Sequence, residues 1–299
     1  MEPGQELLRE AEVEVAGVRY RLTLQREDFS AVYPGLVRFV LMASAPGRRP
    51  AVKVTNTYEY SPLLAGSAEE AARDTAGEAA AAWESRLRED PEALFREYAG
   101  EAAAPAPDIP TDILILQGSP RPDGNCSILA GWAADAARTA GRTFRVVYPH
   151  DLDIHPCIGC YQCYNSGTCV FRDDMDGIIA KVRGARLVVV CTPVYSNTVP
   201  GSLKLLIDRM QAYAAERALG SRETAGGGKA GGSGLTCAVA GRRGGSNFTC
   251  ITKVLDAFYY TIGVAPAGSV LIDSADTLRD IRTLPGKEAE VTALVQRLL

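Results

Sequence analysis

Asp112-Ile-Leu-Ile-Leu-Gln-Gly-Ser-Pro-Arg-Pro-Asp-Gly-Asn-Cys-Ser127 is the stretch whose reading decides the fold. Its first half is a continuous apolar run, the pattern of a parallel strand covered on both faces. Its second half is a glycine-containing loop that opens a helix. The alternation then repeats to the C-terminus. Strands are expected at 143–148, 186–192, 235–241 and 265–272, and helices at 175–183, 202–219, 247–262 and 284–299. Five strands alternating with helices predict a doubly wound α/β domain.

Upstream the texture differs. Val13, Val15, Val18, Tyr20, Leu22 and Leu24 alternate with polar residues around Ala16-Gly17, a hairpin signal. Residues 36–43 and 51–57 form a second pair around Pro46-Gly-Arg-Arg49. Ser67-Ala-Glu-Glu70 fits a capping box ahead of a long Ala/Glu/Arg helix, and Asp90-Pro-Glu starts a shorter one. Three prolines in Glu101-Ala-Ala-Ala-Pro-Ala-Pro-Asp-Ile-Pro110 mark a linker. The expected division is therefore a small α+β domain over 1–103, a linker over 104–110 and the α/β domain over 111–299. A glycine-rich run at 226–234 reads as mobile.

Bulk properties narrow the function. The chain has 299 residues and a net charge of −4. Residues 1–108 carry 12 basic and 19 acidic groups and the rest carry 20 and 17, so the positive half is the α/β half. That suits an anionic small ligand there. No Lys/Arg-rich run or basic stripe suggests nucleic acid as a partner. The start is acidic without an apolar leader, and no apolar stretch approaches the ~20 residues of a membrane span. A cytoplasmic protein without a membrane partner is expected.

In an open α/β sheet, ligands bind at the carboxyl ends of the strands. Three such ends carry distinctive loops. After the first strand, Ser119, Arg121, Asn125 and Ser127 offer donors and charge at a helix N-terminus, a candidate phosphate cradle. The glycine spacing is neither G-x-G-x-x-G nor a Walker loop. After the third strand, Pro193-Val-Tyr-Ser-Asn197 gives a rigid backbone edge with an aromatic ring, suited to a planar heterocycle. After the fourth, Gly241-Arg-Arg-Gly-Gly245 allows close backbone approach beside two cations. Plain turns and a packing tyrosine are the bland readings of each loop alone. Their shared position at one sheet edge favours a site.

Cys157, Cys160, Cys163 and Cys169 follow the spacing C-x2-C-x2-C-x5-C. Disulfides are rare in the expected compartment, so metal or redox roles come first. Three readings stay open: the four thiolates of a 4Fe-4S cluster, a structural zinc site, or free thiols in a loop. Zinc fits least, because all-cysteine zinc sites use two separated knuckles. His150 and His155, the chain's two histidines, lack partners at metal-ligand spacing and read as packing residues. Cys191 and Cys237 lie in apolar strands and read as core. Asp173-Asp174 precedes a helix and reads as capping.

Together these residues resemble the flavodoxin-like NAD(P)H-dependent FMN reductases, and within them the iron–sulfur flavoproteins. The resemblance covers about residues 111–272. It rests on Gly118-Ser-Pro-Arg121 with Gly124-Asn125, on Cys157-Ile-Gly-Cys160 through Asp173-Asp-Met175, on Pro193-Val-Tyr195 with Leu203-Lys204 and Asp208-Arg209, and on the 241–245 loop. Cys126 departs from the usual Thr or Ser. The resemblance does not extend to residues 1–108.

The resemblance implies a five-stranded sheet of order 2-1-3-4-5 and non-covalent FMN. Ser119, Arg121, Asn125, Cys126 and Ser127 would hold the phosphate. Pro193, Val194, Tyr195, Ser196 and Asn197 would line the isoalloxazine edge, with Gly241, Arg242, Arg243, Gly244 and Gly245 at its pyrimidine end. Cys157, Cys160, Cys163 and Cys169 would hold a 4Fe-4S cluster. The expected function is an oxidoreductase passing electrons from NAD(P)H to a quinone, nitro compound, flavin or redox-protein acceptor, as a homodimer or homotetramer. Two alternatives are a one-electron-transfer iron–sulfur flavoprotein and a flavin-binding sensor or scaffold whose N-terminal domain docks a partner.

Overall fold

The computed structural model describes residues 4–60, 66–98, 111–220 and 232–299. The chain forms two compact units. One comprises Met1–Ala104 together with Gly159–Thr168, and the other Pro105–Ile158 with Cys169–Leu299. The expected linker at 104–110 lies outside the described residues, as do 226–231 of the glycine-rich run.

In the first unit β1 (Gly4–Val15), β2 (Val18–Asp28), β3 (Val37–Ser44) and β4 (Ala51–Asn56) form an antiparallel meander. Ala16 and Gly17 both have positive φ, 50° and 77°, so the first hairpin closes through a two-residue turn whose twist matches its strands. β1 begins well before the expected Val13, because its N-terminal half is an exposed, polar edge strand without apolar alternation. α1 (Ala68–Glu89) starts at the expected box: Ser67 Oγ accepts from Glu70 N at 3.1 Å, and Glu70 returns an acceptor to Ser67 N at 2.9 Å. Its buried stripe, Ala72, Ala76, Ala80, Trp83 and Leu87, recurs at three- and four-residue steps. With α2 (Pro91–Tyr98) it covers one sheet face, where Tyr20, Leu22, Phe39 and Leu41 are buried.

The second unit holds β5 (Ile113–Gln117), α3 (Asn125–Thr139), β6 (Phe144–Val147), α4 (Met175–Gly184), β7 (Leu187–Pro193), α5 (Gly201–Arg209), α6 (Gln211–Gly220), β8 (Gly232–Val239), α7 (Thr249–Ile262), β9 (Val264–Ile272) and α8 (Lys287–Leu298). The sheet is wholly parallel with order β6-β5-β7-β8-β9, the expected 2-1-3-4-5. Leu114, Leu116, Val188 and Val190 face one core, and Ile113, Ile115, Leu187, Val189 and Cys191 face the other. Helices α4, α5 and α7 cover the first face, α3 and α8 the second.

Local departures have local causes. The expected helix over 202–219 breaks at Met210, whose N–H closes on Ile207 O three residues back at 3.2 Å. The last helix starts at Lys287 and not at 284, since Pro285-Gly286 intervenes and Gly286 has φ 78°. β8 begins inside the glycine-rich run. A Cβ on Gly234 would lie 2.6 Å from the Tyr259 ring, so this glycine of the run read as mobile is a packing requirement of the sheet.

Candidate functional site

A cavity of about 1230 Å³ is lined by the segments that follow β5, β7, β8 and β9. Three were expected and one was not.

The β5 loop supplies Ser119, Arg121, Asn125 and Cys126. Gly118 permits it: a Cβ there would meet Leu203 Cδ2 at 2.7 Å and Thr192 Oγ1 at 3.1 Å. Ser119 N donates to Gln117 Oε1 at 2.6 Å, and Ser119 Oγ accepts from Arg121 N at 3.1 Å, which fixes the turn. Ser127 does not line the cavity; its hydroxyl accepts from Gln117 Nε2 at 2.7 Å and donates to Arg121 O at 3.2 Å. Gly124 caps α3 without a side-chain hydrogen bond, leaving first-turn amides uncapped beside the cavity. This is the arrangement an anionic phosphate satisfies. Cys126 sits on the lining, but its side chain is buried with Leu129 and Cys191 in the core below. Burial pushes the Cys126 thiol up to about 12.

From β7 come Pro193, Val194, Tyr195, Ser196 and Asn197. Ser196 and Asn197 are left-handed, with φ 48° and 63°, and Tyr195 and Thr198 exchange two 2.9 Å backbone hydrogen bonds. The Tyr195 side chain is left 40% exposed.

The β8 segment supplies Gly241, Arg242 and Asn247; Arg243, Gly244 and Gly245 do not line the cavity. Gly244 is instead structural, with φ 114° and its N–H on Asp273 Oδ2. Asn247 Nδ2 donates to Gly244 O at 2.6 Å and Arg242 O at 3.1 Å, closing the loop on itself.

The missed wall is the segment after β9, with Ala275, Asp276, Arg279, Asp280 and Arg282. Strand-end position pointed to it as plainly as to the others. It is tied to the expected loops: Asp276 N donates to Gly241 O at 3.3 Å, Ser274 N to Arg242 O at 3.1 Å, and Ile281 N to Asn125 Oδ1 at 3.2 Å. A Cβ on Gly241 would collide with the Asp276 carboxylate. Arg279 has φ 60° and ψ −48°, with Asp280 N reaching Leu278 O at 2.7 Å across it, a rare and strained γ-turn. Arg282 is held by Asp280 at 2.7 Å. Arg121, Arg242 and Arg279 make no ion pair among the described residues.

The donor set and shape fit FMN: uncapped amides and Arg121 for a phosphate, the Pro193–Asn197 edge for a flat ring, and ample volume. The cysteine run is a different case. Cys157 is exposed, and Cys160, Cys163 and Cys169 are half-buried. Cys157 and Cys169 belong to the second unit, Cys160 and Cys163 to the first. Among the described residues no group of three or more His, Cys, Asp or Glu side chains stands ready as a metal site. The chemistry of four thiols suits a cluster.

Asp173 caps the helix as expected and does more, while the Asp174 side chain makes no cap bond. Asp173 Oδ1 accepts from Met175 N at 3.1 Å, but its carboxylate also binds the buried Arg209, at 2.6 and 3.1 Å. Asp174 Oδ2 accepts from Asp153 N at 2.8 Å. Arg209 also donates to His155 O at 2.7 Å and lies over the Phe171 ring, on which His155 stacks. His155 is thus a packing residue. Cys191 and Cys237 are fully buried in the sheet, as expected. No helix among the described residues is long and apolar enough to cross a membrane.

Comparison with known proteins gives the family. Residues 111–276 match the family described as NADPH-dependent FMN reductase. An iron–sulfur flavoprotein of Methanocaldococcus jannaschii is 29% identical over 191 residues, which is 62% of this chain and 99% of that protein. One of Archaeoglobus fulgidus is 36% identical over 153 residues, 51% of this chain and 64% of that protein. A solved flavone reductase structure superposes with a TM-score of 0.49 at 17% identity, covering 63% of this chain and 62% of that one. The chain belongs to the FMN reductase family and is an FMN-dependent oxidoreductase.

Proposed function

We propose that this family member takes electrons from NAD(P)H and delivers them to a quinone, nitro compound, free flavin or redox protein. The observation that carries the reading is the convergence of four strand-end segments on one cavity. Bound there, FMN would accept a hydride and release electrons singly or in pairs. The chain's own part is to bind and orient. The α3 amides and Arg121 would neutralise phosphate charge, the Pro193–Asn197 turn would set the ring edge, and Tyr195 would flank it. Arg242 and Arg279 remain as cations for an anionic donor. The test is anaerobic: NADPH or NADH added to the flavin-loaded protein bleaches the flavin absorbance, and an added acceptor restores it. A protein that binds flavin but is reduced by neither nucleotide contradicts the donor assignment.

A second reading is favoured by the four-cysteine run and by the naming of the relatives as iron–sulfur flavoproteins. In it, Cys157, Cys160, Cys163 and Cys169 hold a 4Fe-4S cluster. Protein purified without oxygen should then contain iron and sulfide, and Cys160→Ser should lose iron while keeping flavin. Iron-free wild-type protein prepared this way would sink it. Self-association as a homodimer or homotetramer belongs to the same proposal, and sedimentation of the flavin-loaded protein decides it.

A further inference from the structure

Residues 159–168, the middle of the cysteine run, are built into the N-terminal unit. The contacts centre on Asn165. Its Oδ1 accepts from Asn56 Nδ2 at 2.7 Å, and its Nδ2 donates to Glu59 Oε1 at 2.8 Å and Val54 O at 3.2 Å. Its backbone carbonyl accepts from Arg38 Nη2 at 2.7 Å. Every polar group on Asn165 beyond its own N–H is thereby engaged.

The groups that hold Asn165 are themselves fixed. Asn56 and Glu59 form a reciprocal capping box around a short 3-10 turn, and each also bonds the inserted segment. Asn56 is completely buried, and its amide also reaches Tyr161 O at 3.3 Å. Arg38 is buried, paired with Glu27 at 3.1 Å and set over the Phe29 ring. Around this polar centre lies an aromatic one. Tyr164 is buried edge-on to Tyr33 and Tyr58, at centroid distances of 5.0 and 5.6 Å, and Tyr161 meets Tyr58 at 5.1 Å.

The clamped segment has a backbone that would not persist unaided. Gly159, Tyr161 and Gly167 are all left-handed, with φ 65°, 56° and 74°. For Tyr161, a residue with a bulky Cβ, this costs on the order of 1–3 kcal/mol and survives only where surroundings over-determine it. Cys160 and Cys163 flank Tyr161, and Cys163 begins a single helical turn capped by Gly167.

We infer that the N-terminal unit is a positioning device for Cys160 and Cys163, with Asn165 as its anchor and Asn56, Glu59 and Arg38 as its jaws. Such a device sets the conformation and solvent access of two thiols whose segment has no regular structure beyond one helical turn. For the iron content alone, the inference rests on the cluster reading above; for thiol access it stands without it.

The experiment uses full-length, FMN-loaded, iron-free Asn165→Ala and measures maleimide labelling of each cysteine by peptide mass spectrometry. Loss of the anchor should raise labelling of Cys160 and Cys163 about tenfold, the change expected when local opening loses one to two hydrogen bonds. Cys157 and Cys169 should label as in wild type, and FMN content should be unchanged. Asn56→Ala should give the same pattern, since it removes the opposing side of the same contact. Rates unchanged at Cys160 and Cys163, or raised equally at all four cysteines, would overturn the inference. In oxygen-free preparations the iron-to-FMN ratio should fall in both variants. If wild type itself holds no iron, the cluster reading fails and the labelling comparison still decides the role of the clamp.

Discussion

Arg209 holds Asp173 in a two-point ion pair, Nη1 to Oδ2 at 2.6 Å and Nη2 to Oδ1 at 3.1 Å, with the two side chains only 1% and 3% exposed. The same Nη1 donates to His155 O at 2.7 Å. One guanidinium thus joins the residue two before Cys157 to the residue four after Cys169. The two ends of the cysteine run are closed by a buried charge pair in the α/β unit.

Breaking that pair should be costly. Arg209→Ala leaves a buried carboxylate uncompensated, and such losses run to about 3–5 kcal/mol. Arg209→Lys should recover only part, because one ammonium does not reproduce the planar fork. Urea unfolding of the three proteins checks the order wild type, Lys, Ala; equal midpoints would show that the pair contributes little.

The same pair gives a pH dependence. Burial pushes the Asp173 carboxyl up, but the Arg209 hydrogen bonds and the His155 and Met175 amides outweigh it and hold the group below its ordinary value. A carboxyl lowered in the folded state stabilises fully at neutral pH. Its contribution is lost as pH falls below the ordinary ~3.9 and through the folded value. Asp173→Asn should be less stable than wild type at pH 7, and the gap should narrow in acid. Stability curves from neutrality to about pH 2, well below that ordinary value, measure it; a gap that widens in acid would contradict the assignment.

Asn125 links two walls of the cavity by accepting from Ile281 N. Asn125→Ala removes that acceptor, at a cost of about 1–2 kcal/mol. With Arg121→Ala, which removes a cation from the phosphate end, FMN should bind roughly tenfold or more weakly, since 1.4 kcal/mol is a factor of ten. Flavin-to-protein ratios after gel filtration, and fluorescence titration of the apoprotein, read the change. Full flavin content in the double variant would count against the phosphate cradle.

Cys126, Cys191 and Cys237 are buried together in one core. Burial raises the Cys126 thiol to about 12, and for Cys191 its hydrogen bond with Cys237, then burial, push the thiol up. Thiol reagents attack the thiolate. At pH 8 the native protein should therefore label at exposed Cys157 and Cys250 and spare these three until it unfolds. Labelling of Cys126 in native protein would show that the α3 end opens.

The sequence by itself determined the parts that repeat a local physical rule. Continuous apolar runs such as Ile113–Gln117 specify strands buried on both faces, and their alternation with helices specifies a parallel sheet with its ligands at the strand ends. The loops at Ser119, Pro193 and Gly241 were legible because glycine, proline and polar residues cluster where the backbone must turn. Only the tertiary structure decided which atoms those loops use. Ser127 and Gly244 carry the chemistry of ligand residues, but their groups are taken by Gln117 and Asp273. The fourth cavity wall, around Arg279, and the bond between Asn125 and Ile281 join residues 156 positions apart, a separation that no local pattern encodes. The placement of Gly159–Thr168 in the N-terminal unit has the same origin. Asn56, Arg38 and Asn165 look like ordinary polar residues along the chain, and become a clamp only when folding brings them within hydrogen-bonding reach of one another.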